Sequence, residues 1–162
     1  MKISLEELFA HCERNGISVS NIPEDVMNAS TEAMLKGEET FEVSDNTFSV
    51  IEEAHKKEVE RQKQYNEISA CRLAGIKAED DDDIDEAIEQ YAQAIEMGET
   101  SDFDLLHAYR HAYDRIIILL SRTRAYAREA EYIKKLLHHN LQDKDRKRLE
   151  ERLQKTYAKI NK

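Results

Sequence analysis

At 162 residues the chain is one domain, or one domain with a small appendage, and it is long enough to bury a core without disulfide or metal staples. Four glycines, one proline and no tryptophan beside 36% charged residues exclude a turn-rich β fold and favour water-facing amphipathic helices. The net charge of −10 is polarised: residues 1–100 hold 9 Lys/Arg against 25 Asp/Glu, residues 101–162 hold 15 against 9, and such asymmetry points to oriented association or to neutralisation between packed halves.

The chain opens on MKISLEELFAHCERNG, which is already amphipathic, so no secretory leader is expected. Ser4 and Glu7 make a capping box, Leu5, Leu8, Phe9 and Cys12 form one stripe, and Asn15-Gly16 ends the helix. ISVSN is a linker. A second helix begins at Pro23 in its first position and stops at Lys36-Gly37, with Val26, Ala29 or Ser30, Ala33 and Met34 on its apolar face. ETFEVSDNTFSV reads either as a short hairpin or as an extended arm entering a helix capped near 45–49, with Ser49 and Glu52 as its box. The second reading is preferred because an isolated two-stranded hairpin is marginal.

From 51 to 78 the helical pattern is broken only by Gly75. Between 52 and 67 only Ala54, Val59 and Tyr65 are clearly apolar, which marks a bridging or surface element. The boundary between an N-terminal helical appendage, 1–50, and a helical domain, 51–162, is placed here. Four further helices follow. The first, 84–97, carries Ala87, Ile88, Tyr91, Ala94 and Ile95. The second, 103–120, carries Leu106, Tyr109, Ala112, Tyr113, Ile116, Ile117 and Leu120. The third, 124–139, carries Tyr126, Ala127, Ala130, Ile133 and Leu137. The last, from Asp143, presents Leu149, Leu153, Tyr157 and Ile160 and closes an otherwise open core face.

Residues 68–101 resemble a tetratricopeptide repeat, a two-helix unit of about 34 residues. The resemblance rests on Gly75 in the first helix, on Ala87, Tyr91 and Ala94 in the second, and on the wording DEAIEQYAQAIEMG. The family's first-helix aromatic and Leu fall on Cys71 and Ala74, its second Tyr on Ala78 and its closing Pro on Glu99. Residues 103–139 resemble a degenerate second copy, with REAEYIKKLL as its second helix and Ile118 where a small residue is expected.

The resemblance implies an all-α stack of antiparallel helix hairpins with a C-terminal capping helix and an N-terminal helical arm. It also implies a protein-interaction module whose first helices line a groove. The positions matching that groove are Ser69, Arg72, Ile76 and Glu79, joined by Arg110, His111 and Asp114 in the degenerate copy. At least three repeats are usually wanted for such a stack, so the N-terminal helices or a second copy of the chain would complete it.

EDDDDIDE, 79–86, places seven acids in eight positions. It has no Gly, and no Glu falls at a twelfth ligand position, so it is not a calcium loop. Its place between two matched helices reads as a turn whose acids cap the following helix, ahead of mimicry of nucleic acid. His107 and His111 share a face but lack a third ligand of the right type, and no metal is expected.

Arg122, Arg124 and Arg128 form a candidate basic patch with Tyr126 among them. A nucleic-acid surface there is the second hypothesis, set against the buried stripe that Tyr126 also fits and an Arg128 pairing with Glu129 or Glu131. No GxSxG, Gly-rich phosphate loop or supported His/Cys pair is present, so neither catalysis nor a cofactor is expected. The two cysteines, Cys12 and Cys71, lie far apart, and the longest apolar run, 116–120, is too short for a bilayer. A cytoplasmic protein-binding adaptor is therefore expected, with a nucleic-acid regulator and a homo-oligomerisation module as alternatives.

Overall fold

A computed structural model describes all 162 residues. Seven α-helices and one two-stranded ribbon make an all-α helical stack. The chain divides into two compact units, Met1–Gln62 and Lys63–Lys162. The division falls inside a helix rather than ahead of it, because the first turns of that helix bury Ile51 and half-bury Phe48 in the N-terminal core.

The N-terminal unit begins with β1 (Lys2–Ser4) and α1 (Leu5–Arg14). The Ser4/Glu7 capping box forms, with Glu7 N–H donating to Ser4 Oγ at 3.1 Å and Ser4 N–H to Glu7 Oε2 at 2.7 Å. Helix α1 buries Leu8 and Cys12 but leaves Phe9 exposed. It closes where Gly16, at φ +63°, lets the Ile17 N–H reach Cys12 O at 2.9 Å.

Val19–Asn21 is one 3₁₀ turn. Helix α2 (Glu24–Leu35) has Pro23 as its N-cap rather than its first helical residue. Its buried face is Val26, Ser30 and Ala33, with Met34 exposed. The ETFEV stretch is extended as β2 (Thr40–Glu42), and it pairs antiparallel with β1, Ile3 opposite Phe41. The pairing partner lies far away in sequence, and burying Ile3 and Phe41 in the core supplies what an isolated ribbon lacks. Helix α3 (Thr47–Asp80) starts two residues before Ser49, so the Ser49/Glu52 box expected from sequence does not cap it.

The second unit holds the end of α3, then α4 (Ile84–Thr100), α5 (Leu106–Arg122), α6 (Tyr126–Leu137) and α7 (Asp143–Ile160). Each helix from α4 onward packs on the next. The expected stripe of α4 is buried throughout: Ala87, Tyr91 and Ala94 are fully enclosed. In α6 the buried face is Glu129, Ala130, Ile133 and Leu136, a quarter-turn from the expected one, and Tyr126 is half-buried. In α7 Leu149 and Thr156 are buried while Ile160 is exposed.

Turns 80–83 and 122–125 are built alike. Asp82 and Arg124 both stand at φ +61°, and the next N–H reaches back to Ala78 O or Leu120 O at 2.8 Å. Asp83 then caps α4 by accepting from the Glu86 N–H at 3.2 Å, so the acid run does serve as turn and cap.

Helices α3 and α4 approach closely at a glycine. A Cβ added at Gly75 would lie 2.6 Å from the Tyr91 ring, which is itself fully buried and has no room to retreat. The same relation recurs one helix later, where the Tyr109 ring lies over Gly98. Gly75→Ala is expected to cost about 1–3 kcal/mol of unfolding free energy despite alanine's better helix propensity, because overpacking dominates. Denaturant titration checks it.

Candidate functional site

Three clefts open on the second unit. On the side of α4 and α6, Ala92, Ile95, Glu96, Glu99, Thr100, Tyr132, Lys135 and His138 surround a groove of about 580 Å³. On the side of α5 and α7, Ile117, Ile118 and Leu149 floor a cleft of about 250 Å³, with Asp114, Arg148 and Arg152 at its rim. Arg148 and Arg152 also border the adjoining cleft of about 370 Å³, where Ser121, Glu129, Glu151, Lys155, Thr156 and Lys159 complete the wall.

The larger groove has the better size, yet its polar groups are already engaged. Glu99 accepts from the Tyr113 hydroxyl and lies 2.6 Å from His139 Nε2. Lys135 sits 5.1 Å above the Tyr132 ring, and His138 Nδ1 meets Lys134 O at 2.7 Å. Burial foremost, then the Glu99 carboxylate, raises the Tyr113 hydroxyl well above an ordinary phenol, and burial pushes Tyr109 up to about 12. These groups tie the ends of α4, α5 and α6 together.

The other side carries unmet bonding capacity. Glu129 is buried at 1% exposure, and its Oε1 accepts from Arg152 Nε at 3.0 Å while its Oε2 has no protein partner. Ser69 Oγ and Arg72 Nε, on α3, are likewise buried without a partner. A buried polar atom left unpaired costs about 1–3 kcal/mol, so a donor or acceptor arriving from outside has something to gain here.

The expected groove residues take distinct places. Glu79 is engaged inside the stack: the Tyr91 hydroxyl donates to its Oε2 at 2.6 Å, and Arg115 donates through Nε and Nη2 at 3.0 and 2.5 Å. Arg115 holds the Glu79 carboxyl below its usual range, and the same carboxylate, after burial, raises Tyr91. Arg110 joins α5 to α7, with Nε 3.5 Å from Asp114 and Nη2 3.9 Å from Asp145. His111 is exposed and lies edge-on to Tyr91, and His107 stacks on Tyr65 at 5.4 Å. Ile76 is half-buried against the core.

Helices α3, α5 and α7 are thus linked by Glu79–Arg115 and Arg110–Asp145; of the other expected residues Asp114 lines the α5–α7 cleft, Ile76 packs on the core, and Ser69 and Arg72 each hold a buried polar atom. Sequence reasoning missed Arg115, Glu129, Arg148 and Arg152. Arg115 lies 36 residues from its partner, and no local pattern announces it.

Arg122, Arg124 and Arg128 are exposed and unpaired at the corner between α5 and α6. The expected partners of Arg128 are taken, Glu131 by Lys134 at 2.8 Å and Glu129 by Arg152. Tyr126 lies under Lys159 Nζ at 5.2 Å. No three His, Cys, Asp or Glu side chains are placed to hold a metal ion, and no helix is long and apolar enough to cross a membrane. Comparison with protein families, curated proteins and solved structures finds no match for the chain.

The Glu79 pairing sets a pH dependence. Its folded pKa is depressed, so the stability it contributes is present above the unfolded carboxylate value near 4.5 and is lost as pH falls through the folded one. Glu79→Gln is expected to cost about 1–3 kcal/mol at neutral pH, with the gap to wild type narrowing steadily below the usual glutamate range. Urea unfolding across pH reads both.

Proposed function

We propose that residues 63–162 form a non-catalytic, tetratricopeptide-like adaptor that takes an acidic segment of a partner protein along the face shared by α3, α5 and α7. The observation that carries the proposal is the α5–α7 cleft. Ile117, Ile118 and Leu149 offer an apolar floor with Arg148 and Arg152 beside it, and these two arginines lead into the adjoining cleft that Lys155 and Lys159 line. Of these, Arg152 is bound to Glu129, and Lys159 lies over Tyr126. Arg148 and Lys155 are exposed.

A segment with alternating apolar and carboxylate residues fits both layers. Its backbone N–H groups are the kind of donor that Glu129 Oε2 lacks. The repeat resemblance of 68–101 supports the same face, since the family's groove lies on first helices. A cytoplasmic adaptor agrees with the two thiols, which burial raises above an ordinary cysteine.

Fluorescence anisotropy with a labelled Asp/Glu-rich peptide and a Lys-rich control tests the proposal. Arg148→Glu with Lys155→Glu is expected to weaken acidic-peptide binding by about tenfold or more while circular dichroism is unchanged; tenfold corresponds to about 1.4 kcal/mol. Equal affinity of the wild type for both peptides, or an unaffected double variant, contradicts it.

A further inference from the structure

The antiparallel course of the helices brings two oppositely charged turns to the same end of the second unit. Tyr109, in the first turn of α5, lies over Gly98 near the end of α4, so α5 starts away from turn 80–83 and runs back toward that end to finish at turn 122–125. Turn 80–83 and turn 122–125 therefore share one end, one hairpin apart, or about 10 Å at ordinary helix spacing.

The first turn is acidic and only partly neutralised. Asp81 pairs with Lys77 at 2.8 Å and Asp83 caps α4, while Asp80 shares only the field of Lys77 and Asp82 and Asp85 are exposed without an ion-pair partner. The second is basic: Arg122, Arg124 and Arg128 are exposed with no carboxylate partner. Within one copy the two groups lie about a Debye length apart, so water and salt screen most of their attraction.

We infer that this end of the helical unit is a two-fold self-association surface, on which the acidic turn of one copy meets the arginine corner of a second copy and the reverse. A two-fold axis perpendicular to the helices and to the line joining the two turns, lying just beyond this end, places each acid group opposite the other copy's arginines. One patch carrying both signs is self-complementary, and such a contact closes at the dimer. The inference stands apart from the proposed peptide cleft, since Arg148 and Lys155 take no part in it.

Sedimentation velocity of the full chain over a range of protein concentrations, at about 50 mM and about 500 mM salt, tests it. Dimer is expected at low salt, with dissociation at high salt shifting the midpoint by about tenfold or more. An acid-reversed variant (Asp80→Lys, Asp82→Lys, Asp85→Lys) and a base-reversed variant (Arg122→Glu, Arg124→Glu, Arg128→Glu) are each expected to be monomeric. Their equimolar mixture is expected to form a heterodimer, because one contact is the native acid–arginine pairing and the other is restored with its signs exchanged.

Should either triple variant lose helical signal, Asp82→Lys and Arg128→Glu serve as the pair. A wild type that stays monomeric at low salt overturns the inference. So does a dimer indifferent to salt, or a mixture of folded reversed variants that stays monomeric.

Discussion

A buried tyrosine makes two demands at once, bare backbone beneath its ring and an acceptor for its hydroxyl. Tyr91 meets both within the α3–α4 hairpin, lying on Gly75 and donating to Glu79. Burying a ring of this size contributes several kcal/mol, an upper estimate since the unfolded chain already hides part of it. Leaving its hydroxyl unpaired would return about 1–3 kcal/mol. Glu79 also holds the Arg115 guanidinium, so the acceptor that permits Tyr91 to be buried joins α5 to the hairpin. Tyr109 over Gly98 and Tyr113 on Glu99 repeat the arrangement at the next interface, with His139 in place of arginine.

Much of this was legible where the pattern is local. The stripes of α4 and α5, the Ser4/Glu7 cap and the turn at 80–83 follow from spacings of three and four and from capping chemistry. What escaped was long-range. β2 finds its partner at the chain's start, and Glu79 finds Arg115 on another hairpin. The register of α6 slipped because Tyr126 and Leu137 look apolar, yet the helix buries Glu129 instead, held there by Arg152 of α7. A buried carboxylate has no signature in a hydrophobic stripe. The α5–α7 cleft escaped for a similar reason: Ile118, the residue that departs from the repeat pattern, lies in its floor.

The charge polarity of the chain acquires a physical meaning in this arrangement. Acids 80–86 and the arginines at 122–128 are separated in sequence but are returned to one end by antiparallel helices. The cations of α7 instead line a cleft along the side. One unit therefore presents two kinds of basic surface, one beside an apolar floor and one near an acidic turn. The α4–α6 groove, though larger, has its carboxylate and imidazole groups committed to holding helix ends.

The central claim is that the face of α3, α5 and α7 is the binding face. Mapping methyl chemical shifts in the isotope-labelled chain during titration with an acidic peptide tests it most directly. The account predicts that perturbations gather at Ile117, Ile118 and Leu149, with Ile95 in the α4–α6 groove unmoved. Perturbations gathered at Ile95 instead, with the α5–α7 floor unchanged, would contradict it.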